Sequence, residues 1–146
     1  MIKEKLKGCV VFTSSVVAYI PSPFSAMYGA TKAFVSNLAA SLAVEVSARG
    51  IDLLSVHPSP ISTSFADAVL RTYILLVFFS KKMSVAPNTL PKEIFKSVGR
   101  VVWRDLGGMA LGVRMGTKML SYSFLAHSFA TFAPFMADYK KNNAGR

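Results

Sequence analysis

The chain has 146 residues, a formal net charge of +10, 52% hydrophobic residues and 16% charged ones. That length suits one domain with a core of its own, and the apolar content excludes a chain disordered throughout. The charged fraction lies below the quarter or so usual in soluble domains, which points to a buried interface, a membrane contact or a missing partner segment.

The basic residues are scattered, with small pairs at Lys81–Lys82 and Lys140–Lys141. No helix-turn-helix, zinc-finger spacing or aromatic RNA-binding signature accompanies them. Nucleic acid is therefore not an expected partner. The single cysteine, Cys9, excludes an internal disulfide and a cysteine-rich metal site. Its apolar setting predicts a buried core thiol. The opening "MIKEKLKG" lacks the apolar stretch of a signal peptide.

In chain order, "GCVVFTS" predicts a short buried strand rich in β-branched residues. Residues 16–24 contain Pro21 and Pro23 and predict a loop. A long helix is expected from Ser25 to Arg49. Alanine and leucine favour it, Leu38, Leu42 and Val46 share a face, and Gly50 supplies a left-handed stop. "IDLLSVHP" then predicts a second strand, ended by Pro58 and Pro60. Strand, helix and strand make a βαβ unit with parallel neighbours. Beyond Pro60, residues 62–79 suit a helix with Ser62 or Thr63 near its cap. "PKEIFKSVGRVVWRD" suits another, with Pro91 in its first turn. "LGGMALGV" is ambiguous between a turn and a short strand, and residues 114–139 predict helix.

The chemistry lies in "YGATK". Residues four apart on a helix lie one above the other, so Tyr28 and Lys32 are expected to share a face. A neighbouring ammonium favours the charged phenolate, which suits a phenol to proton transfer near neutral pH. Ser14 and Ser15 close the first strand, and open α/β sheets bind ligands beyond the carboxyl ends of their strands. Ser15 can thereby converge with Tyr28 and Lys32, and a hydroxyl there could orient a carbonyl beside the phenol. "HPSPISTSF" lies at the same edge after the second strand.

In this order and on this frame, the residues resemble the C-terminal half of a short-chain dehydrogenase/reductase, over residues 8–65 or so. In that family a serine stands about a dozen residues before the tyrosine of Y-x-x-x-K. The resemblance implies catalytic roles for Ser15, Tyr28 and Lys32, with Ser14 as the second choice to Ser15. Tyr28 is the proton donor, Ser15 holds the carbonyl, and Lys32 assists the phenol and grips the nicotinamide ribose. It likewise aligns Pro58 and Ser59 with the family's Pro-Gly turn at the nicotinamide, serine here replacing glycine, and Ile61 and Thr63 with positions that contact the carboxamide. The implied reaction is reduction of a ketone by NADPH. The whole-chain layout, with "LPKEIFKSVGRVVW" and a basic, apolar tail, is similar to the very-long-chain 3-oxoacyl-CoA reductases and the 17β-hydroxysteroid dehydrogenases. That narrower likeness implies a lipid-like ketone substrate and the cytosol-facing endoplasmic reticulum membrane, with the cytoplasm as the alternative.

No G-x-x-x-G-x-G occurs in the chain, although the family seats the dinucleotide on such a turn. The expectation is a partial Rossmann-like α/β domain over residues 1–112, without its N-terminal cofactor-binding half, followed by an apolar helical tail over 113–146. The fragment alone is then expected to be a poor binder of NADPH. Two other readings stand beside the oxidoreductase. One is an inactive remnant that associates, with itself or a partner, through an exposed sheet edge. The other is a membrane-surface protein whose tail, flanked by Lys118, Lys140 and Lys141, is the working part.

Overall fold

The structure is a computed structural model that describes residues 1, 3–4, 6–61, 85–136 and 139–140. Three parallel strands form its centre in the order β1 (Gly8–Thr13), β2 (Ile51–Pro58), β3 (Trp103–Leu106). Helix α1 (Ala26–Val46) makes the crossover between β1 and β2, as the alternation of strand and helix predicts. A tighter turn over Ser47–Arg49 ends it, and Gly50 adopts the left-handed φ of 69°. This is the stop expected from Arg49 and Gly50.

Strand β2 is covered on both faces. Leu54 and Val56 pack with Leu106 of β3 against Leu90, Ile94 and Val98, in and just after helix α2 (Leu90–Ser97). His57 turns the other way and meets Ser36 of α1. The period of two along a strand produces this split. Leu54 is fully buried, and such a side chain contributes about 2 kcal/mol.

Strand β1 differs from expectation. Its residues read as a buried strand, but Cys9, Val10 and Val11 are exposed. In this sheet β1 is an edge, paired only with β2 among the described residues. A cavity of about 590 Å³ opens beside it, lined by Val10, Phe12, Leu42 and Leu53 among others. Apolar composition set the expectation; the edge position set the exposure.

Two further local readings change. The helix at Leu90 stops at Ser97, and Gly99, at a left-handed φ of 71°, turns the chain so that Trp103–Leu106 becomes β3. The ambiguous "LGGMALGV" runs from the last residue of β3 into helix α3 (Gly108–Met119). Gly107, at φ 95°, offers no side chain to cap α3; the cap comes instead from Ser59, far away in sequence, whose Oγ accepts the Ala110 N–H at 3.0 Å. Helix α4 (Tyr122–Phe132) carries its own cap, Ser121 Oγ accepting from Phe124 N–H at 3.1 Å. The expected helix with Ser62 or Thr63 near its cap lies outside the described residues.

Candidate active site

The site is built at the carboxyl ends of β1 and β2. These ends are tied together where Ser14 N–H donates to Val56 O at 2.9 Å. Tyr28 sits in the first turn of α1 and Lys32 one turn later, and the helix brings them to one face. The Lys32 ammonium lies 5.6 Å from the centroid of the Tyr28 ring. Lys32 Nζ also donates to Thr13 O at 3.0 Å, which fastens the ammonium to the end of β1, two residues before Ser15. An ammonium has three N–H groups, so two remain for a ligand. Tyr28 is 36% exposed.

The adjacent serines point to different environments. Ser14 is buried, its hydroxyl donating to Lys32 O at 2.9 Å and touching Ser36 Oγ at 2.7 Å. Ser15 is half-buried and caps the short turn Val16–Tyr19, its Oγ accepting from Val17 N–H at 3.4 Å. That contact uses a lone pair and leaves the Ser15 hydroxyl proton to donate elsewhere. Of the two serines, the expected Ser15 thus keeps a hydroxyl proton, whereas that of Ser14 is spent inside the fold.

The second strand end offers less to a ligand. Pro58 is half-buried and Ser59 fully buried. The Ser59 backbone N–H donates to Leu106 O at 2.7 Å, and its hydroxyl caps α3. Serine in place of glycine at this turn therefore has a structural use in this chain. Ile61 forms a parallel bridge with Val85, and Thr63 lies outside the described residues.

Behind the site lies a polar cluster that the sequence reading did not anticipate. His57 is fully buried, its Nε2 sharing a hydrogen bond of 2.8 Å with Ser36 Oγ. It stacks on Tyr19 and tilts against Trp103. Its Nδ1 faces Asp105 Oδ1 at 4.0 Å. Asp105 accepts from Tyr19 Oη at 2.9 Å and from Arg114 Nη1 at 2.8 Å. Burial holds the His57 imidazole down at about 4, against the opposing pull of Asp105. Burial, with the hydrogen bond to Asp105 next, pushes the Tyr19 phenol above its ordinary range. Ser36 stands four residues beyond Lys32 and His57 immediately precedes Pro58. Those spacings were visible, but their convergence was not.

The short chain dehydrogenase family profile matches residues 1–73. The chain belongs to the short-chain dehydrogenase family. It is 28% identical to the very-long-chain 3-oxoacyl-CoA reductase of Meyerozyma guilliermondii over 131 residues, 89% of this chain and 33% of that protein. It is 34% identical to a tropinone reductase homolog of Arabidopsis thaliana over 80 residues, 53% of this chain and 30% of that one. It is 38% identical to a 3-oxoacyl-[acyl-carrier-protein] reductase of Staphylococcus aureus over 97 residues, 62% of this chain and 39% of that one. The fold is similar to a short-chain dehydrogenase from Streptomyces avermitilis, with a TM-score of 0.63 and 20% identity, covering 90% of this chain and 51% of that one. The three-stranded parallel sheet and its helices thus match part of a Rossmann-type fold. The chain spans about a third of the length of the curated relatives it matches first.

Proposed function

We propose that this chain carries the proton-transfer side of a ketone-reducing site. The observation that carries the reading is the pairing of Tyr28 with Lys32, whose ammonium is fastened to the end of β1 two residues before Ser15. The Ser15 hydroxyl donates to the substrate carbonyl and orients it. Tyr28 gives its phenolic proton to the carbonyl oxygen, and the Lys32 ammonium stabilises the phenolate that remains. The two free N–H groups of Lys32 suit the vicinal hydroxyls of a ribose. When bound, a nicotinamide cofactor, NADPH in our reading, supplies the hydride. Ser59 is fully buried, with its Oγ turned to the Ala110 N–H, so its side chain is withdrawn from that cofactor. Any carboxamide contact therefore falls to the turn backbone around Pro58 and Ile61, or to Thr63.

A lipid-like 3-oxoacyl ketone is the proposed substrate class. The names of two relatives point to it. So does a cavity of about 490 Å³ between the turn after β1, α1 and α4, walled by Ala18, Gly29, Ala33, Ala126 and Phe129 among others. Fused to the part of the Meyerozyma reductase that it does not match, the chain should oxidise NADPH in the presence of a 3-oxoacyl-CoA. Tyr28→Phe should then lower turnover by about 100-fold or more. Turnover in the variant equal to that of the parent would end this assignment.

The tail over 113–146 supports a second reading, contact with an anionic, cytosol-facing membrane such as that of the endoplasmic reticulum. Tyr122, Phe124, Phe132 and Phe135 are all exposed, with Lys118 before them and Lys140 after. No helix of the described residues is long and apolar enough to cross a membrane, so the contact proposed is at the surface. Vesicles rich in phosphatidylserine should pellet the chain, and replacing the four aromatics by serine should abolish this. Unchanged pelleting of that variant would refute surface contact through the tail.

A further inference from the structure

One turn of α1, from Lys32 to Ser36, is held by side chains from three other places in the fold. Ser14, just past β1, donates its hydroxyl to Lys32 O at 2.9 Å. Ser36 Oγ donates to the same carbonyl at 2.8 Å, meets Ser14 Oγ at 2.7 Å and meets His57 Nε2, from β2, at 2.8 Å. Trp103, from β3, donates its indole N–H to Ser36 O at 3.1 Å. A helical serine often bonds back to the carbonyl four residues earlier and does nothing more. Here that bond is one edge of a buried cluster, and Ser14, Ser36 and His57 are at most 3% exposed.

The cluster bears on Lys32 in particular. A lysine side chain is long and flexible, so the place of its ammonium depends on where the helix starts it and where its far end is fastened. The far end is fastened at Thr13 O. The near end is fixed by the Lys32 carbonyl, where two hydroxyls converge. We propose that Ser36 and His57 are positioning residues, a buried polar brace that fixes the rotation of α1 and thereby sets the Lys32 ammonium against Tyr28 and the end of β1. His57 is itself held in place, stacked on Tyr19 with ring centroids 4.9 Å apart and set against Trp103 at 5.3 Å. Neither Ser36 nor His57 touches the reacting atoms; both act through Lys32.

The brace rests on reading Lys32 as a site residue, but its test needs no turnover, so an inactive chain and a failed brace give different results. The 146-residue chain is treated with an amine-acetylating ester. Mass spectrometry follows the rate at Lys32 relative to exposed Lys92. Glutamine at position 57 places an amide near the Nε2 position and can still reach Ser36, whereas asparagine places it near Nδ1 and cannot. His57→Asn and Ser36→Ala should each raise the Lys32 rate by about fivefold, the factor carried by one net hydrogen bond. His57→Gln and Ser36→Thr should stay within about twofold of the parent. Equal Lys32 rates in folded His57→Asn and in the parent overturn the proposal. If the asparagine and alanine variants fail to fold, the glutamine and threonine variants decide. Either of them folded by circular dichroism yet with Lys32 as reactive as in urea overturns the brace, and parental rates in both uphold it.

Discussion

The carboxyl ends of β1 and β2 are neighbours, and both are rich in polar residues, but they use them in opposite ways. At the end of β1, Tyr28 is exposed and Ser15 and Lys32 are half-buried, and a hydroxyl proton, a phenol and two ammonium N–H groups are left for a ligand. At the end of β2, His57 and Ser59 are both fully buried. Ser36 Oγ meets His57 Nε2, while His57 Nδ1 is buried without a hydrogen bond among the described residues, and the Ser59 hydroxyl caps α3. A polar residue at a strand end is therefore no sign of a ligand site in itself. What matters is whether the fold leaves the group within reach of a ligand or buries it against another element. Ser14 and Ser15 make the same point at adjacent positions.

Acid should expose the contrast most strongly. The folded chain holds His57 at about 4, whereas an unfolded histidine takes up its proton near 6.5. Between those values the unfolded state binds more protons, so stability rises with pH across the window and falls on acidification. The loss from about pH 6.5 to about pH 4 should be on the order of 3 kcal/mol from this group. Asp105, Arg114 and Tyr19 face the same pocket. Urea unfolding of the parent and of His57→Gln over this range measures the difference. Parallel pH profiles would show that His57 is not buried and neutral.

A smaller effect is expected at Ser59. Ser59→Ala removes the acceptor for Ala110 N–H and should cost about 1 kcal/mol. Ser59→Gly, which restores the family's turn residue, should lose the same cap and gain nothing in stability. Urea midpoints measure both, and a Ser59→Gly chain more stable than the parent would contradict the structural use of this serine. The smallest change in stability is expected at Ser15. Among the described residues its hydroxyl makes one hydrogen bond, a 3.4 Å acceptance from Val17 N–H, so Ser15→Ala should shift unfolding by less than about 0.5 kcal/mol. The loss should fall on ketone reduction by the fused enzyme instead. A Ser15→Ala chain markedly less stable than Ser59→Ala would reverse the contrast between the two strand ends.

Local sequence was enough for the βαβ unit. Alanine-rich helix and β-branched strands follow short-range preferences, and Gly50 marks the stop between them because it accepts a left-handed backbone. The pairing of Tyr28 with Lys32 was legible for the same reason, since helical spacing alone places them together. Tertiary structure decided the rest. Val10 and Val11 are exposed because β1 is an edge among the described strands, a property of neighbours rather than of composition. Trp103–Leu106 became strand because β2 offered a free parallel edge from Ser55 to Pro58. Helix α3 begins at Gly108 although Gly107 cannot cap it, because Ser59 reaches across from another element. Ser36 and His57 are 21 residues apart and meet only once α1 is laid on the sheet. Periodicity reports contacts within one turn or one strand. Which polar groups are left for a ligand depends on contacts between elements, which only the packed chain supplies.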